Sequence, residues 1–79
     1  MKDTLADALE RSRLRRQLPD PAARRLLRKR VGLSQADLAR ALNVARPTIC
    51  RWESGARDPG HQHLVPYLDL LNRLMRETL

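Results

Sequence analysis

Residues 33–55 read LSQADLARALNVARPTICRWESG, and this stretch decides the fold. It holds two helix starts separated by a short turn. Ser34 can cap a helix with its hydroxyl, and Asp37, three residues on, makes a capping box with a shorter acid than the usual Glu. Leu38, Ala39 and Leu42 then recur at helical spacing and mark an inward face. Asn43 suits a left-handed terminator, which makes ALNVA at 41–45 a tight turn anchored by Val44. Pro47 is tolerated only in the first turn of a helix, so the next helix spans about 46–54. Ile49 and Trp52 share its buried face, Thr48 and Arg51 face elsewhere, and Gly55 closes it.

Outward from this core stretch, Asp20 before Pro21 is a second strong start: a capping carboxylate, then a proline whose missing N–H costs nothing at the first helical position. That helix runs from about 21 to 31, with Ala23, Leu26, Leu27 and Val31 on one side and Gly32 as its left-handed end. Before it, residues 4–17 form a first helix that the Pro-Asp-Pro at 19–21 terminates. Its Leu5 and Leu9 share a face, while Leu14 and Leu18 lie nearly opposite at about 100° per residue. Such a helix can touch its own domain on one side and a partner on the other. A fifth helix begins within 61–65 and runs to about 78, which puts Pro66 near its first turn. Leu64, Tyr67, Leu68, Leu71, Leu74 and Met75 give it a continuous apolar face. Leu70 widens that face, so one small core has more apolar area than it can cover, and Leu70 or Leu74 becomes a candidate for a dimer interface. The expectation is an all-α protein of five helices, with a helical extension at 1–18 ahead of a domain at 19–79.

The chain has 79 residues, three glycines, one Trp, one Tyr and no Phe. That length allows one domain with a thin core, which can lean on a partner chain. Apolar residues make up 42% of it, as in a globular protein rather than a disordered one. No apolar run approaches a membrane span, and the opening MKDTLADALERSR lacks the apolar core of a signal peptide. Cys50 is the single cysteine and has no internal partner for a disulfide. These features lead us to expect a cytoplasmic protein of a bacterium or phage. The net charge is +7, and residues 11–30 concentrate it, with nine basic residues against one acidic. A block of this kind favours a polyanion, whether nucleic acid, anionic membrane or acidic protein; otherwise it is a solvated, self-repelling face.

Two short helices joined by a tight turn make a helix-turn-helix, here at about 34–54. In that motif the second helix enters the DNA major groove and the first crosses the backbone, with their N-terminal N–H groups able to meet phosphate. The longer stretch GLSQADLARALNVARPTICRWESGARDP resembles the lambda-repressor-like, Cro-type helix-turn-helix family, also called XRE. The matching marks are Gly32-Leu33-Ser34-Gln35, Leu38-Ala39, Val44, Thr48-Ile49, Trp52-Glu53, Gly55 and Pro59, within a resemblance that covers about residues 21–72. It implies that Gln35, Thr48 and Arg57 contact the DNA backbone. It implies that Arg46, Pro47 and Arg51 meet base edges, and that Arg28 and Glu53 form a structural ion pair. Two departures stand out. Ala45 replaces the serine that usually caps the second helix, a loss of about 1 kcal/mol. Pro47 cannot read bases by hydrogen bonding and is left with contact to a thymine methyl, so Arg46 and Arg51 carry the specificity.

The resemblance therefore implies sequence-specific binding of double-stranded DNA by a transcriptional regulator, a repressor acting as a homodimer on a palindromic site, with no enzymatic activity and no cofactor. His61 and His63 are too few to hold a metal, and no triad, phosphate loop or carboxylate pair accompanies them. Cys50 reads as a small residue beside DNA rather than a redox switch. Arg11, Arg13, Arg15 and Arg16 read as a solvated or non-specific phosphate face. The rival reading is a protein-interaction module that also binds DNA, such as the antitoxin of a toxin–antitoxin pair.

Overall fold

The computed structural model describes residues 3–78. Its helices are α1 (Thr4–Arg16), α2 (Pro21–Val31), α3 (Gln35–Leu42), α4 (Arg46–Ser54) and α5 (His61–Glu77), and no strand occurs among the described residues. The local signals set these boundaries. Asp20 accepts the Ala23 N–H at 2.8 Å with Pro21 in the first helical turn. Ser34 Oγ accepts the Asp37 N–H at 3.0 Å while the Asp37 carboxylate accepts the Ser34 N–H at 2.8 Å, so the box closes in both directions. The Ser34 backbone N–H, and then its hydroxyl, hold the Asp37 carboxyl below the ordinary aspartate range. Asn43 ends α3 at φ 55°, and Gly55 ends α4 at φ 81°. At Gly55 a side chain would be doubly unwelcome, because a Cβ would also lie 3.2 Å from Pro21 Cγ.

The core joins α3, α4 and α5 through Leu38, Ile49, Trp52, Tyr67, Leu71 and Leu74, with Leu27 and Val31 of α2 and Leu18 packed against it. Trp52 and Tyr67 are tilted against each other with ring centroids 4.7 Å apart. Outside this core, α1 packs on α5, and Arg15 donates to the Pro59 carbonyl at 3.1 Å. No residue of α1 is buried. Its half-buried residues Asp7, Arg11 and Leu14 recur at helical spacing on one side; Leu5 and Leu9, on the other, are 67% and 49% exposed.

Three expectations from the sequence need correction. Leu26 does not share the inward side of α2 and is 49% exposed. That side is formed by Leu27 and Val31 together with the buried Arg24 and Arg28. Arg24 is turned inward by the Pro19 carbonyl at 2.8 Å, the Trp52 carbonyl at 2.9 Å and Asp58 at 3.0 Å. Next, Pro66 is not in the first turn of α5, because the helix starts already at His61. The proline removes the N–H that would bond the Gln62 carbonyl, and both residues are exposed, so water can serve that carbonyl instead. Finally, Leu74 is buried and Leu70 is packed against the core, whereas Met75 is exposed. Val31 and Leu33, at the α2–α3 junction, line an open depression on that flank of α5 together with Leu70 and Leu74; Leu74 is only 6% exposed, whereas Leu70 is half-buried.

Tyr67 yields a stability prediction. It is fully buried, and its hydroxyl has no hydrogen-bond partner among the described residues. Burial pushes its pKa from 10.0 up to about 12; Arg24 and Arg28 oppose that rise, while Glu53 and Asp58 reinforce it. The folded state thus favours the neutral phenol. The associated stability is fully present below pH 10, the ordinary value, and is lost as pH rises through the folded value. The two-unit difference corresponds to about 3 kcal/mol. Tyr67→Phe is expected to be at least as stable at pH 7, by about 1 kcal/mol, since no bond is lost with the hydroxyl. It should also lose less stability than the wild type between pH 10 and 12. Thermal melts across that range check both parts; a lower Tm for the Phe variant at pH 7 would show that the hydroxyl has a partner.

Candidate nucleic-acid interface

The turn between α3 and α4 is fixed by the Val44 N–H bonding to the Ala39 carbonyl at 2.9 Å, with Val44 packed on the core. The helix that follows has no side-chain cap at Ala45. Its inward face is locked by Ile49, Trp52 and the buried Glu53. The period of 3.6 residues then leaves Arg46, Pro47, Cys50, Arg51 and Ser54 on the exposed side. This is a rigid rod with one face anchored and the other presenting two guanidinium groups.

Beneath it lies a buried ion pair with two parallel hydrogen bonds. Arg28 donates from Nε to Glu53 Oε2 at 2.7 Å and from Nη2 to Oε1 at 2.8 Å, and its Nη1 reaches the Leu33 carbonyl at 2.9 Å. The side chains are 8% and 2% exposed. The Glu53 hydrogen bonds hold the Arg28 pKa above its ordinary value, against the opposing pull of burial. Gln35 also donates to Glu53 Oε1, at 3.1 Å. The pair thus joins the C-terminal part of α4 to α2 and to the start of α3, and it orients the first side chain of α3.

The structure brings Gln35, Arg46 and Cys50 together around an open depression of about 470 Å³ that also touches Arg25, Ser34 and Ser54. A neighbouring depression is lined by Gln35, Arg46, Pro47, Cys50 and Arg51. Thr48 is half-buried on the flank of α4 and lines neither depression. Arg57 lies in the loop after α4, where its N–H bonds to the Arg51 carbonyl at 3.3 Å, and it is likewise outside both. His61 and His63 sit at the start of α5, and no group of three potential metal ligands forms among the described residues. Cys50 is exposed.

Sequence reasoning missed Arg24, which ties α2 to the end of α4, and Arg25, which lines the depression beside Arg46. A signal for Arg24 was present: with Leu27, Arg28 and Val31 it recurs at i, i+3, i+4 and i+7. No helix among the described residues is long and apolar enough to cross a membrane.

A protein-family model described as helix-turn-helix matches residues 25–77, from within α2 to the end of α5. No curated protein and no solved structure compared with the chain matches it. The match spans most of the chain and includes both helices of the motif, so the protein belongs to the XRE-type, lambda-repressor-like helix-turn-helix family, whose members bind DNA sequence-specifically as transcription regulators.

Proposed function

We propose that the protein is a repressor that reads the DNA major groove with α4 and acts as a homodimer in the nucleoid of a bacterial or phage-infected cell. The carrying observation is the pair Arg46 and Arg51, exposed on a helix whose opposite face is anchored by Ile49 and Trp52. In this reading Arg46 and Arg51 contact base edges, Pro47 touches a thymine methyl, and Gln35, Thr48 and Arg57 contact phosphates. A helix of nine residues reaches few base pairs, so two copies on a palindrome supply the specificity that one lacks. Leu5 and Leu9, exposed on a helix outside the family match, favour a second reading in which α1 also docks on a protein such as a toxin.

Gel mobility on the promoter of the protein's own gene tests both readings, with and without the product of the neighbouring gene. A discrete shift that survives excess competitor DNA, holds two copies per site and accompanies a fall in reporter expression is the expected result. A shift that any DNA removes equally would overturn site-specific repression. A change in the shifted species when the neighbour's product is added would support the second reading.

A further inference from the structure

The basic block at 11–30 is not one surface. Arg24 and Arg28 are buried and spent on carbonyls and carboxylates. Arg13 pairs with Glu10 at 2.7 Å, and Arg15 bonds the Pro59 carbonyl. Arg25 and Lys29 are different: both are exposed, and neither makes an ion pair among the described residues. They stand one turn apart on the same side of α2, about 6 Å along the helix axis. Arg25 lines the depression that also holds Gln35, Arg46 and Ser54. A second depression continues from there along α2, sharing Arg25 and Ser54 and ending at Lys29. A path of cationic groups thus runs from the first residue of α4, past its last, and onto α2.

We propose that Arg25 and Lys29 are additional DNA contacts, binding neighbouring phosphates of the strand that flanks the groove read by α4. This rests on the DNA-binding reading above and extends it to a helix outside the two-helix motif. The chemistry is that of a phosphodiester. Arg25 can fork onto two phosphate oxygens, while Lys29 acts as a mobile point charge that needs no fixed geometry. Neither meets a base, so their contribution is the same on every sequence and is carried by counterion release. Glu53 is the one acid lining this path, and it is neutralised by Arg28, so the path stays cationic.

The test is the salt dependence of DNA affinity for Arg25→Gln/Lys29→Gln against a control of equal charge, Arg30→Gln/Arg76→Gln, whose residues are exposed and line neither depression. The expected result is that the slope of log affinity against log salt becomes shallower by about 1.8 per bound copy for the Arg25/Lys29 variant, about 3.6 on a site that holds two copies, at about 0.9 per phosphate lost. The loss of affinity should be equal on specific and random duplexes, while the control keeps the wild-type slope. Thermal melts of both variants should match the wild type, since all four side chains are exposed. If the Arg25/Lys29 variant and the control give the same slope, the proposal is overturned while DNA binding stands. If the wild type binds no duplex at low salt, the DNA-binding reading itself fails.

Discussion

Glu53→Ala is expected to lower the melting temperature by more than 10 °C. The reason lies in what the substitution leaves behind. Arg28 remains in place, 8% exposed at its side chain, with two of its three hydrogen bonds removed. An uncompensated buried charge costs about 3–5 kcal/mol. A chain of this length holds only roughly 4–12 kcal/mol in total, at 0.05–0.15 kcal/mol per residue. Each 1 kcal/mol moves Tm by about 4–8 °C in a small domain. Gln35 loses its acceptor as well, so the start of α3 loosens along with the contact between α2 and α4. The cost does not measure the net worth of the pair. Arg28→Met/Glu53→Leu removes both charges and keeps apolar volume, and it should recover most of the stability that Glu53→Ala loses. Thermal melts of the three proteins decide the matter. A Glu53→Ala protein that melts within a degree or two of the wild type would mean that the guanidinium finds water or another acceptor.

The features legible in the sequence are those whose physics is local. Ser34 and Asp37 are three residues apart, Pro47 constrains its own turn, and Asn43 and Gly55 relieve a left-handed backbone at one position each. The boundaries of α2, α3 and α4 follow from such residues. Arg24 was opaque for the opposite reason. Two of its partners, the Trp52 carbonyl and Asp58, are 28 and 34 residues away. Hydropathy assigns an arginine to solvent unless such partners are known, and Leu26 was placed inside by the same reasoning. The burial of Leu74, and the partial burial of Leu70, depend on where the α2–α3 junction runs beside α5, a tertiary fact with no mark in either segment. The candidate interface divides the same way. Arg46 and Arg51 follow from the period of α4, since Ile49 and Trp52 fix the other face. Arg25 joins them only because α2 packs beside α4, which no spacing in the chain encodes.

Arg51→Ala is expected to cost 1–3 kcal/mol of DNA affinity per half-site, about 5- to 150-fold, with the loss concentrated at one base pair. Arg46→Ala should do the same at a neighbouring pair. Both side chains are exposed, and neither pairs with a carboxylate among the described residues, so their forks are free for a ligand. A guanidinium matches guanine O6 and N7 with two parallel bonds, and the helix backbone that carries the fork is anchored on its other face by the buried Ile49 and Trp52. On a palindrome bound by two copies the cost appears twice. Replacement by lysine separates charge from geometry. Arg51→Lys keeps the positive charge, so affinity for random duplex and the salt slope should stay close to wild type. It loses the planar fork, so discrimination at the one base pair should fall. The measurement is a set of affinities on the operator and on every single-base variant, at one fixed salt concentration. A loss shared equally by all sequences, and restored by lysine, would reassign Arg51 to the phosphate backbone. Specificity would then rest on Arg46, Pro47 and the shape of the duplex.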